Sequence, residues 1–246
     1  LIKHYLKNIG KAVLFPKAGC LPKPTHIEPG LITFHNNDFL HEAKFSNALN
    51  AARKSTGEDL PGVWRTYTAA WFGKYCQSLP GDFVEFGVDK GFTSYVVMHY
   101  GDFNDCKKTY WLMDTFEGLD ISQMSKKEIE IVKPSRYKYG GNYENIKSVF
   151  KAFKKCKAIK GSVPGSLNKI TSKRICFAYI DMNNVYPEIE AAKFVWDRMP
   201  KGGVILLDDY AFSEKYIMQK EAFDVFAKER KTSVLTLSNG LGLIMK

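Results

Sequence analysis

One stretch constrains this chain more than any other: Asp82-Phe83-Val84-Glu85-Phe86-Gly87-Val88-Asp89-Lys90-Gly91-Phe92-Thr93-Ser94-Tyr95. Asp82 to Phe86 is short, apolar and β-prone, with Glu85 near its end. Gly87 and Gly91 bracket a tight turn, and Thr93, Ser94 and the apolar run Tyr95 to Met98 open a helix. Glycine at position 87 lets a ligand approach the backbone, because no Cβ stands in the way. Gly91 lets the helix pack close to the strand. The start of the helix offers free N–H groups to a negative group.

A dinucleotide requires Gly-x-Gly-x-x-Gly, with its pyrophosphate on the helix. Here Glu85 occupies the first glycine position, where its carboxylate repels pyrophosphate. The pattern present, Glu-x-Gly-x-x-x-Gly, resembles the first motif of class I S-adenosylmethionine methyltransferases. That ligand carries a sulfonium and an ammonium, which an acidic neighbour favours. A purely structural βα turn is the alternative.

The rest of the chain places this turn in a fold. Residues 1–60 hold four of the five histidines and several prolines, and their periodicity is poor. They read as an N-terminal arm or lid, with a short helix over Leu1–Phe15, loop over Pro16–Pro29 and a helix over Asp38–Arg53. Residues 61–246 read as the catalytic domain. Val63–Leu79 has apolar residues at helical spacing and stops at Pro80-Gly81. Strands follow at Thr109–Met113, Ala158–Lys160, Ile175–Ile180 and Val204–Leu207. Helices are expected from Asn142 to about Lys155, over Pro187–Met199 and from Ser213 to Arg230. Glu117–Gly141 is polar and lysine-rich, and reads as a long loop. The end reads as two strands joined at Asn239-Gly240. Alternating strands and helices imply an α/β fold with a mostly parallel sheet covered on both faces. The closing antiparallel pair suits the Rossmann-like class I methyltransferase variant, a seven-stranded sheet with a C-terminal hairpin.

In such sheets ligands bind at the carboxyl ends of the strands. Those ends carry Glu85 and Gly87, then Asp114, Asp181, and Asp208-Asp209. A carboxylate closing the second strand suits a ribose, so Asp114 fits the nucleoside; capping of a turn is its other reading. Gly161-Ser162 is placed to border adenine or is a plain turn. Asp181, Asp208 and Asp209 are three carboxylates that repel one another unless a cation sits between them. An all-oxygen set suits a hard ion such as Mg²⁺ or Ca²⁺. Because adjacent strand residues face opposite ways, Asp208 and Asp209 can share an ion only if the chain bends after Leu207. The other reading leaves one aspartate capping a helix and the others solvated.

Three runs then point to a family. Leu79-Pro80-Gly81-Asp82-Phe83-Val84-Glu85-Phe86-Gly87, Leu112-Met113-Asp114-Thr115-Phe116-Glu117-Gly118-Leu119 and Gly202-Gly203-Val204-Ile205-Leu206-Leu207-Asp208-Asp209-Tyr210 resemble the macrocin O-methyltransferase (TylF/MycF-like) family from about Trp64 onward. The resemblance implies S-adenosylmethionine, a bound Mg²⁺ and methylation of a sugar hydroxyl. It implies a nucleoside site at Glu85, Gly87, Gly91, Thr93, Ser94, Asp114, Thr115, Gly161, Ser162 and Asp181. The metal would take Asp181, Asp208 and Asp209, and Asp181 is the catalytic candidate, with His99 second. There is one departure. The family has a second aspartate two residues beyond Asp181, and this chain has Asn183, which cannot act as a base.

Composition narrows the partners. The formal net charge is +10, yet the basic residues are spread along the chain with no zinc-finger spacing or RNA-binding aromatic motif. The Asn/Asp-Pro-Pro-aromatic run of amino-methylating nucleic-acid enzymes is missing after the fourth strand. A small-molecule or glycan acceptor is expected rather than nucleic acid, together with a homo-oligomer. No apolar run approaches the roughly 20 residues that span a bilayer. The chain opens on Leu1 rather than Met, so an upstream piece is expected. The five cysteines are scattered, which suggests reduced thiols and a cytoplasmic setting. A nucleic-acid methyltransferase and a non-catalytic binder on the same fold stand as alternatives.

Overall fold

The computed structural model describes residues 23–134 and 142–246. The helix expected over Leu1–Phe15 and the glycine pair Gly140-Gly141 lie outside the described residues. The described chain opens on an antiparallel hairpin, β1 (His26–Glu28) and β2 (Leu31–Thr33), in which Ile27 pairs with Ile32. Strands of three residues carry too little alternation to be read, so the loop expected through Pro29 is in part strand. The helix expected over Asp38–Arg53 begins as a 3₁₀ turn at Asp38–His41 and continues as α1 (Ala43–Thr56). α1 buries Phe45, Ala48, Leu49 and Ala52, and packs against the helix that follows the glycine turn.

Next come α2 (Val63–Cys76), β3 (Asp82–Phe86), α3 (Phe92–Tyr100) and β4 (Tyr110–Asp114). Glu117–Gly141 is not an open loop where it is described. It holds a 3₁₀ turn at Ile121–Gln123 and α4 (Lys126–Val132). A capping box starts α4: Ser125 accepts from Glu128 N, and the Glu128 carboxylate accepts from Ser125 N. Its seven residues are too few to show a helical period against so many lysines. α5 (Tyr143–Val149) starts where expected, with Asn142 accepting from Asn145 N, and gives way to a 3₁₀ turn at Phe150–Ala152.

The remaining elements are β5 (Cys156–Lys160), β6 (Ile175–Ile180), α6 (Val185–Arg198), β7 (Val204–Leu207), α7 (Ile217–Glu229), β8 (Leu235–Thr236) and β9 (Gly242–Met245). The seven strands from β3 onward form one sheet in the order β5-β4-β3-β6-β7-β9-β8. Pairing is parallel from β5 through β7 and antiparallel for β7–β9 and β8–β9. This is the mixed sheet with a closing hairpin that the alternation of elements implied.

Side chains alternate across the sheet. Phe83, Tyr110 and Phe177 pack on one face with α1, α2 and α3; Val84, Phe86, Ala178 and Ile180 pack on the other with α6 and α7. Burial on both faces explains why β6 and β7 are apolar throughout. The parallel strands β3, β4 and β6 all end at one edge of the sheet, and their last residues build the site.

Candidate active site

The turn after β3 is tight because two glycines make it so. Gly87 has φ +82°, and a Cβ there would stand 2.5 Å from the carbonyl carbon of Asp181 and closer still to its oxygen. Gly87 is thus required by the neighbouring strand as much as by any ligand. Gly91, with φ +83°, is the N-cap of α3. Its missing Cβ makes room for the ring of Phe150, 2.5 Å away, rather than for β3 as the sequence suggested. Gly91 offers no side chain to cap α3, and the Glu85 carboxylate beneath accepts from the Ser94 N–H, so one donor of the first turn is already taken.

A cleft opens above this turn. Glu85, Gly87, Gly91, Thr93, Asp114, Thr115, Gly161, Ser162 and Asp181 all line it, nine of the ten residues expected around a nucleoside. Ser94 does not. One position on from Thr93, it turns under α3 and is fully buried, its hydroxyl without a partner. His99 lies in the last turn of α3 beside Tyr95, away from the cleft. The end of the N-terminal segment also reaches the cleft. Glu58 and Leu60 line it, and Glu58 forms an ion pair with Lys90 of the glycine turn.

Glu85 is 3% exposed, and its Oε2 has no hydrogen-bond partner. Burial, then the charges of Asp181, Asp208 and Asp114, push its carboxyl well above the usual range. Such a group gains from a cationic ligand. Asp114 holds the turn and also lines the cleft. Its Oδ2 accepts from Val88 N at 2.6 Å and Asp89 N at 2.9 Å, and its Oδ1 from Phe116 N at 2.7 Å. The Thr115 hydroxyl also lies 3.3 Å from its Oδ1. At the far wall Ser162 donates to Asp120 Oδ2 (2.7 Å) and accepts from Gln123 Nε2 (2.8 Å). That chain fixes the Gln123 amide and leaves its Oε1 buried without a donor. Gln123 was invisible in the sequence because it sat in what read as loop.

The acidic trio is real in space. One oxygen from each of Asp181, Asp208 and Asp209 lies within 4.8 Å of the other two. The chain bends at Asp208-Asp209, as sharing a centre demands. Of the three only Asp181 also lines the cleft. Burial and the charges of Asp208 and Asp209 raise its carboxyl well above the usual range. Burial and Asp208 do the same to Asp209, whose Oδ2 has no partner. Asn183 adopts a left-handed backbone, φ 56°, which asparagine tolerates, and donates from Nδ2 to Asp181 Oδ1 at 3.1 Å. An aspartate there would add a fourth charge, whereas the amide supports Asp181.

Two further ionisable residues were missed by sequence. Arg65, from the first turn of α2, ion-pairs with Asp208 Oδ2 at 2.5 Å. A cation in a first turn opposes the helix dipole, and that is the signal that a partner was needed. Glu188, in the first turn of α6, accepts from Met182 N at 3.1 Å and Asn184 N at 3.4 Å. Burial outweighs these bonds and lifts its carboxyl from 4.5 to about 8. As pH rises the unfolded chain releases this proton first, so stability falls between about pH 5 and 8. Glu188→Gln keeps an acceptor but has no proton to lose. Its Tm-versus-pH profile should be flatter than wild type over that window; equal slopes would clear Glu188 of the effect.

A seven-stranded sheet in this order, with a glycine-turn cleft beside acidic strand ends, is the architecture of a class I methyltransferase. Solved structures share it. The O-methyltransferase NovP superposes with TM-score 0.63 at 16% identity, over 80% of this chain and 88% of that one. CalS11, a calicheamicin methyltransferase, gives TM-score 0.57 at 14% identity over 86% and 94%. An O-methyltransferase from Bacillus cereus, in complex with SAH, gives 0.50 at 12% over 83% and 91%. No curated protein matches the sequence significantly. The family model of macrocin-O-methyltransferase (TylF) matches residues 16–234, and the chain belongs to that family. It is therefore a methyltransferase. Among the described residues no helix is long and apolar enough to cross a membrane, and the four cysteines there are free.

Proposed function

We propose that this enzyme transfers a methyl group from S-adenosylmethionine to a hydroxyl of a sugar or glycosylated small molecule, assisted by Mg²⁺. The observation that carries the reading is the position of Asp181, the one residue shared by the donor cleft and the acidic trio. The complex of the Bacillus cereus structural neighbour with SAH supports the donor. The structural neighbour CalS11, described as a TDP-rhamnose 3′-O-methyltransferase, supports a sugar acceptor.

S-adenosylmethionine supplies the electrophilic methyl group. The N–H groups at the start of α3 suit its carboxylate, Glu85 its ammonium and Asp114 its ribose. Asp181, Asp208 and Asp209 would hold Mg²⁺: the donor set is all oxygen, and buried Asp209 Oδ2 still lacks a partner. The ion would lower the pKa of the acceptor hydroxyl and fix its direction. Asp181 receives the hydroxyl proton. In the ion-free chain burial and the neighbouring carboxylates raise its proton affinity, and Asn183 holds it in place. Residue 183 itself cannot take that role. Glu58 and Leu60 line one side of the cleft, so the described end of the N-terminal segment would border the bound donor. The same reading takes the enzyme to be a cytoplasmic homo-oligomer.

The test is release of S-adenosylhomocysteine from chelator-stripped enzyme offered nucleotide sugars and glycosides, with Mg²⁺ added back. Activity should rise from near zero with added Mg²⁺. Full activity in chelator would remove the metal, and turnover restricted to oligonucleotides would remove the sugar.

A further inference from the structure

The three carboxylates were expected to need a cation from outside the chain, but the chain already provides one. Besides the ion pair with Asp208 Oδ2, Arg65 donates to the Asp208 carbonyl, and its guanidinium lies 4.6 Å from the ring centre of Phe212. Tyr179 donates to the other Asp208 oxygen. Both oxygens of Asp208 are therefore engaged before any ion arrives. The Arg65 and Asp208 side chains are each 15% exposed, so solvent screens the pair weakly. Meanwhile Arg65 Nε and Asp209 Oδ2 are both buried without a partner, which marks the cluster as only partly compensated.

We infer that Arg65 is the standing counter-cation of the Asp181–Asp208–Asp209 cluster, and that a divalent ion must compete with it for the Asp208 carboxylate. The second half rests on the Mg²⁺ reading above. The N-terminal hairpin adjoins the residues around Arg65. Trp64 N, next to Arg65, donates to Glu28 of β1 at 3.3 Å, and Phe212 packs over Gly30 of the hairpin turn.

The test uses the full chain and MgCl₂. Arg65→Met should lose about 10 °C of Tm in chelator, because it leaves buried carboxylates uncompensated. In a cycle with Asp208→Asn the two losses should be strongly non-additive. By calorimetry Mg²⁺ should bind Arg65→Met about tenfold or more tighter than wild type, since a buried competitor has gone. Arg65→Lys keeps the charge but loses the fork, and should gain a few-fold in Mg²⁺ affinity; it serves if the methionine variant fails to fold. Additive losses in the cycle would overturn the counter-cation. Mg²⁺ affinity that is equal or weaker in both variants, with wild type binding the ion, would overturn the competition and leave the Mg²⁺ reading intact. Binding by Arg65→Met alone would support the inference and sink Mg²⁺ for the wild type. Binding by no variant would end the Mg²⁺ reading and the competition together, with the cycle deciding the counter-cation.

Discussion

Asp181→Asn should reduce methyl transfer by about 10³-fold or more while leaving S-adenosylhomocysteine affinity within a few-fold of wild type. The substitution keeps the shape of the side chain and removes its charge. It removes the proton acceptor and one ligand of the trio in a single step, so the chemical step bears the loss. The donor pocket keeps Glu85, Asp114 and the first turn of α3 unchanged. Stability should move the other way. Asp181 is half-buried with a carboxylate oxygen within 4.8 Å of Asp208 and Asp209, and like charges in a shared site repel. A neutral amide relieves that repulsion, so the metal-free Tm should hold or rise. A dead enzyme that is as stable as wild type is the signature of a residue retained for chemistry rather than folding. Activity within tenfold of wild type would take Asp181 out of the reaction.

The pattern of what the sequence disclosed follows from distance along the chain. The ends of β4, β6 and β7 were legible because each apolar run stops at an aspartate. Parallel order then brings Asp114, Asp181 and Asp208 to one sheet edge without further information. The hairpin after α7 was legible from Asn239-Gly240. What escaped notice depends on partners far away in sequence. Arg65 meets Asp208 across 143 positions, and nothing in Val63-Trp64-Arg65 names its partner. Gly91 was read as a strand contact, but its neighbour is Phe150, from the turn after α5. α4 escaped for a local reason. Its seven residues include two lysines and two glutamates, and only the Ser125–Glu128 capping box announces it. That box then supports the site at a distance, because Glu128 Oε1 accepts from Val185 N at the start of α6.

Gly87→Ala should be the most damaging single-methyl change in the molecule, and Gly57→Ala provides its control. Both residues have positive φ, +82° and +71°. At Gly57, the C-cap of α1, a Cβ meets nothing within 4 Å. Only the left-handed conformation is penalised there, by about 1–2 kcal/mol, or roughly 2–8 °C of Tm in a chain of this size. At Gly87 the same penalty is joined by a collision with the Asp181 carbonyl. That carbonyl is backbone and cannot rotate aside. Asp181 N donates to Phe86 O at 2.8 Å, which fixes the separation of the two chains at this point. Relief requires β3 and β6 to part at their carboxyl ends, breaking ladder bonds in the middle of the sheet. A cost above about 4 kcal/mol is expected, so Tm should fall by more than about 10 °C, or the protein should be recovered insoluble. Calorimetry of the two variants side by side decides it. A Gly87→Ala variant melting within a few degrees of Gly57→Ala would mean that the strand ends yield freely. Asp181 could not then be held where both the donor cleft and the acidic trio require it.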